Sequence, residues 1–276
     1  MKRFLIGGFH AARRQPLAIG ALFLFHFFWS MLLYRAVEER VVNVMRRFPP
    51  PQFPGERVEL FLNESAVLLF KSGLAVPTLL TLAVFAAVRL AVVPLLHAGV
   101  FESLHRVNGP RGTVFIEGIR RHGGAFALLA LLRAALTAVP LIWAIPYGWS
   151  RLLKADSAVS LAAAALPLLA GLAVYGGLIK LLFMYMQFGK TAGTGMLRGL
   201  WLAVRRLLPV CLIALAVSAA ALLAGALVFA ASLAWAGFAA LALHLAYPVI
   251  KMLFKVWDIS AQHQYFREAQ GRQTAG

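Results

Sequence analysis

From Leu207 to Ile250 the chain runs 44 residues without one charged side chain. A helix rises 1.5 Å per residue and the hydrocarbon of a bilayer is ~30 Å thick, so this stretch is long enough for about two crossings. Other apolar runs of spanning length occur along the chain. Only 13% of the 276 residues are charged and 61% are hydrophobic, whereas about a quarter of a soluble domain's residues are charged. Too little polar side chain is present to clothe a water-facing surface. The class that fits is an integral membrane protein, all-α because a lone apolar segment satisfies its backbone in lipid only as a helix.

Charged markers divide the chain into six expected spans, at about 16–35, 72–96, 125–149, 157–180, 207–230 and 234–255, within a single membrane domain covering 1–276. The turn between the last two falls at "ASLAWAG", 231–237. The start, "MKRFLIGGFHAARRQ", has no short apolar core before a small-residue cleavage site, so it is expected to remain as part of the first span's approach. The lone Cys211 excludes a disulfide framework and a cysteine metal site within one chain.

Basic residues give the sidedness. With the N-terminus inside, the inner segments carry sixteen Lys and Arg and the outer segments seven. That bias predicts both termini in the cytoplasm of a bacterial inner (cytoplasmic) membrane. A net charge of +17 then reads as loops held against anionic lipid, not as a nucleic-acid footprint.

Three stretches share an order of glycine, basic pair and apolar run: "GGFHAARRQPLAIGALF" at 7–23, "GIRRHGGAFALLALL" at 118–132 and "GLWLAVRRLLPVCLIALAV" at 199–217. Arg13–Arg14, Arg120–Arg121 and Arg205–Arg206 each stand at the entrance of an odd-numbered span. Two explanations fit. Each pair closes a short amphipathic elbow helix lying in the interface, which makes the protein three elbow-plus-hairpin repeats. Alternatively, any odd span of a chain that starts inside begins with basic residues.

The stretch "RLAVVPLLHAGVFESLHRVNGPRGTVFIEGIRRHGGAFALLALL", 89–132, joins a span end, a polar turn, a glycine-marked amphipathic helix and the next span. In this layout the chain resembles a poorly characterised bacterial family of six-span inner-membrane proteins, itself similar to the membrane domain fused to some glycerophosphodiester phosphodiesterases. The resemblance implies an all-helical membrane module and no reaction.

Candidate contacts for an anionic lipid or ligand are the three arginine pairs, Arg133 and Lys180. Arg133 lies twelve residues past Arg121, ~18 Å into a helix, where an arginine signals an anion pocket. In a competing arrangement the span is 134–150 and Arg133 reaches back to the interface. Lys71, Arg89 and Lys180 fall near span ends, with no acidic partner expected inside the membrane. The missing intramembrane Asp or Glu also weighs against proton-coupled transport. No two of the seven histidines are three or four apart, so no helix face offers a metal-ligand pair. "QFGKTAGTG", 187–195, lacks the first glycine of a phosphate-binding loop, position 184 being methionine, and reads as an inner loop. The outer loop, 36–65, combines a helical face at 37, 41, 44 and 45 with the stiff "FPPPQFPGE".

No paired carboxylates, Ser-His constellation or metal ligands emerge, and no cofactor is expected. The expected function is a non-catalytic, lipid-interacting or assembly module of an envelope complex. Its partners would be anionic membrane lipids, a membrane-complex subunit or further copies of itself. The alternative is a permease subunit working with a separate ATPase.

Overall fold

The computed structural model describes residues 1–45, 75–106, 110–152, 158–234 and 238–274. These form α1 (Lys2–Arg13), α2 (Pro16–Met45), α3 (Ala75–His105), α4 (Arg111–Ala138), α5 (Leu141–Leu152), α6 (Ala158–Thr191), α7 (Met196–Arg205), α8 (Leu207–Ala234) and α9 (Phe238–Thr274), with no strand among the described residues. Five helical segments are long and apolar enough to cross a membrane: Pro16–Ala36, Leu79–His105, Gly112–Gly148, Ala165–Thr191 and Leu207–Ser232. Helix α9, which holds the sixth expected span, is not among these five, which are drawn from the described residues alone. Most of the outer loop, including the proline-rich stretch, lies outside the described residues, as does Lys71 at the start of the second expected span.

The chain divides into two compact units, 23–93 and the combination of 1–22 with 94–276. In the smaller unit Trp29 of α2 meets Phe85 of α3 edge-on, 5.1 Å between centroids. Its large apolar side chains, such as Phe28, Leu79 and Leu80, are exposed.

The larger unit is organised around parallel helix ends. Along α6 and α9 the pairs Lys180–Asp258, Tyr185–Gln262 and Phe188–Phe266 follow one another, so the two run side by side in the same direction. The end of α3 joins them, with Phe101 stacked on Phe188 at 4.8 Å. Phe101, Phe126, Tyr185, Phe188 and Phe266 form one buried aromatic cluster. Edge-to-face and offset pairs of this kind add about 0.5–1.5 kcal/mol each beyond their buried area.

Helix α1 lies antiparallel on α9, through Phe9–Trp257, Phe4–Tyr265 and an Arg3–Glu268 ion pair of 3.2 Å. The first and last helices thus meet, and both chain ends lie at the same end of this unit. Three glycines allow the close approaches. A methyl on Gly8 would run into the Ala261 backbone of α9, one on Gly118 into Ala98 and Glu102 of α3, and one on Gly199 into the Tyr185 carbonyl of α6. These are the glycines that mark the three basic stretches.

The middle stretch differs from the other two. Short helices α1 and α7 precede α2 and α8, but Arg120 and Arg121 sit within the continuous α4. Pro16 opens α2 and Pro209 lies in the first turn of α8, while 111–138 contains no proline to end a turn. The third expected span is also interrupted: α4 stops at Ala138 and α5 resumes at Leu141, across Pro140. Helices α3, α6 and α9 run nine or more residues past the expected span ends, because charge at the end of an apolar helix stops the crossing and not the helix.

A candidate anionic-headgroup site

The starting point is the corner between α1 and α2. Pro16 has no amide hydrogen and disfavours helix at the residue before it, so α1 ends at Arg13 and Gln15 is left outside both helices. The Gln15 side-chain amide donates through Nε2 to the Ser103 carbonyl at 2.7 Å and accepts at Oε1 from the Ser103 hydroxyl at 2.6 Å. The corner is thereby tied to the end of α3.

Behind it lies a buried charge network. Glu102 is 2% exposed; it accepts from Arg106 Nε at 3.0 Å and faces His122 Nε2 at 3.3 Å. Arg106 also reaches Glu117, its Nη1 lying 3.0 Å from Oε1. A carboxylate taken out of water at this depth is costly unless charge and hydrogen bonds compensate it, and Arg106 supplies both.

Between this network and α1 opens a cavity of about 460 Å³, edged by His10, Arg14, Gln15 and Arg106 and walled by Leu17 and Phe115. Arg106 is engaged by two carboxylates. Arg14, exposed and with no ion pair among the described residues, is the cation left for a ligand. A cationic mouth beside an apolar wall suits an anion that carries a hydrocarbon chain.

The residues singled out from sequence do not converge. Arg14 edges this cavity, and Arg13 lies over the Phe9 ring at 6.0 Å. Arg120 and Arg121 are exposed on α4. Arg205 and Arg206 border a separate cavity of about 270 Å³ that also includes Glu268. Arg133 is exposed five residues before the end of α4 and lines neither cavity, its carbonyl accepting from Thr137. Lys180 corrects the expectation that it has no acidic partner: its Nζ stands 2.9 Å from Asp258 of α9. The charge assigned to a lipid or ligand is satisfied there within the protein, because α9 continues as a helix past its expected end and carries Asp258 alongside α6.

Sequence reasoning missed the buried Glu102–His122 contact and the meeting of His105 with His263, 6.0 Å between ring centroids. The four-residue step from Glu102 to Arg106 was a usable signal for that ion pair, but not for the approach of His122 from α4. Nothing local announces the second, whose partners are 158 positions apart.

No protein-family description, curated protein or solved structure matches this chain. The helices themselves are those of a multi-pass, all-helical membrane protein.

Proposed function

We propose that this chain is a non-enzymatic, six-span module of a bacterial inner membrane that holds anionic phospholipid headgroups at its cytoplasmic face. In this reading it comprises three units, each a basic stretch followed by a helical hairpin, with both termini inside. The stretch is a separate short helix in the first and third units and the start of the continuous α4 in the second. The family resemblance described above points the same way, to a membrane module without a reaction. The contact between α1 and α9 supports a closed arrangement, since the first elbow completes the last unit. Helix α7 supports the interfacial role: Gly199, Leu202 and Ala203 are buried, while Leu197, Trp201 and Val204 are exposed on its other face. A helix packed on protein along one side and apolar along the other suits the boundary between headgroups and acyl chains.

The observation that carries the reading is the Arg14 cavity. A headgroup phosphate accepts from the Arg14 guanidinium, and a chain of the same lipid runs along Leu17 and Phe115. Charge-assisted bonds to arginine are the strong ones, and here they form beside an apolar wall where water competes less. Native mass spectrometry after extraction from a membrane containing phosphatidylglycerol tests this. The wild type is expected to retain the anionic lipid, and Arg14→Gln to lose it about tenfold more readily, whereas Arg13→Gln retains it. Equal retention by wild type and Arg14→Gln contradicts the proposal.

A further inference from the structure

A second cavity, of about 640 Å³, opens on the other side of α9. Its polar lining is Arg198 of α7, Arg267 and Gln270 of α9, His105 of α3, and Thr194 in the turn from α6 to α7. No carboxylate lines it. That sets it apart from the Arg14 cavity, where Arg106 is neutralised, and from the Arg205–Arg206 cavity, which contains Glu268.

The turn that shapes it is "GKTAGTG". Gly193 and Gly195 take φ of +71° and +99°, which side-chain-bearing residues rarely adopt. This lets the chain reverse while Thr194 stays at the cavity wall. Gln270 donates to the Thr194 hydroxyl at 3.0 Å, fixing the turn to α9. Trp201, 64% exposed, stands at the mouth.

The electrostatics agree with the lining. His263 is buried directly behind His105, and its pKa falls to about 3 through burial, with His105 and Arg267 lowering it further. Burial is the larger cause; the Arg267 guanidinium, which lines the cavity, adds to it, and no carboxylate stands in that lining.

We propose that this cavity binds a terminal phosphate monoester. Two guanidinium groups, Arg198 and Arg267, form a fork for a tetrahedral oxyanion, and the His105 ring and the Gln270 amide line the same cavity. The charge of the two guanidinium groups exceeds what a phosphodiester's single negative charge uses and matches the −1.5 to −2 of a monoester near neutral pH. The phosphate comes either from a soluble phosphorylated compound or from a lipid bearing a monoester headgroup.

The full chain in phosphatidylcholine nanodiscs tests this, with inorganic phosphate as the soluble probe and discs doped with phosphatidic acid or phosphatidylglycerol as the lipid probes. Saturable binding is read by ³¹P NMR and by the thermal midpoint. Inorganic phosphate, phosphatidic acid or both are expected to bind, with at least tenfold preference over the diester phosphatidylglycerol. Arg198→Gln and Arg267→Gln should each lower that affinity about tenfold or more, and Lys2→Gln, at an exposed position that lines none of these cavities, should leave it unchanged. Binding of phosphate alone assigns the ligand to solution, and binding of phosphatidic acid alone assigns it to the bilayer. All variants carry changes at exposed positions, and an unchanged thermal midpoint without ligand confirms that each is folded. Absence of a monoester preference in the wild type, or equal affinity in the wild type and in both Arg198→Gln and Arg267→Gln, overturns the proposal.

Discussion

The two ends of the larger unit use the same residue types for opposite purposes. At the end that holds the chain termini, Gly8, Gly118 and Gly199 are pressed onto neighbouring backbone, aromatic rings interlock, and Glu102, Gln262 and His263 are buried. At the other end Gly171, Gly176 and Gly177 meet nothing, and Leu166, Leu215, Leu222 and Phe229 are exposed. In water the second end would be an aggregation surface. Against acyl chains its exposed apolar residues need no protein cover, and helix association there gains little from hydrophobic burial. The difference teaches where specificity resides: the apolar end supplies crossing length, while the polar, packed end fixes which helix lies beside which.

Substitution separates the two ends. The largest effect is expected from Gly199→Ala, whose new methyl meets the Tyr185 carbonyl, backbone that cannot swing aside. A loss of about 3 kcal/mol or more follows, at the upper range of overpacking, read as the midpoint of unfolding in SDS. An unchanged midpoint would show that α7 does not rest on α6 as described. Next comes Lys180→Ala, which strands the nearly buried Asp258 carboxylate. Breaking a buried pair costs about 3–5 kcal/mol, but the Lys180 side chain is 47% exposed, and solvent screening reduces the expectation to about 1–2 kcal/mol. Asp258→Asn should cost less, because it removes the charge that needs the lysine.

The pH profile tests the packed end in another way. His263 stays neutral in the folded protein down to about pH 3, whereas an unfolded histidine titrates near 6.5. The unfolded chain therefore binds a proton first as pH falls, and stability drops between about 6.5 and 3, by about 2 kcal/mol at pH 5. His263→Phe keeps a ring against Phe188 and should flatten this part of the profile. An identical profile in the variant would locate the acid sensitivity elsewhere. The smallest effect belongs to the apolar end: Gly176→Ala should leave stability unchanged or raise it by up to about 1 kcal/mol, since a helical alanine is favoured and space is open. A loss above that size would place a neighbouring helix where the structure has none.

Much of the crossing pattern was legible because length and charge dictate it. Leu207 to Ile250 reads as two helices with a turn, and α8 and α9 flank residues 235–237. The glycines at 8, 118 and 199 could be found by their recurrence, and all three turn out to be close contacts. The elbow at 118–121 was misjudged as a separate element, since the basic pair is legible while the missing proline break decides the geometry. Much of the site was not legible. Arg14 could be named from sequence. Its separation from Arg106, already held by Glu102 and Glu117, depends on which helix ends converge. Lys180 and Asp258 are 78 positions apart, and no periodicity relates them.

The proposed function rests on the apolar end lying in the bilayer and the packed, basic end facing the cytoplasm. In a Cys211→Ser background, single cysteines at Lys2 and Leu222 can be challenged with a membrane-impermeant maleimide in intact and in permeabilised spheroplasts. Labelling of Lys2→Cys only after permeabilisation, with Leu222→Cys unreactive throughout, is the predicted result. Labelling of Lys2→Cys in intact spheroplasts, or of Leu222→Cys from either side, would contradict the account.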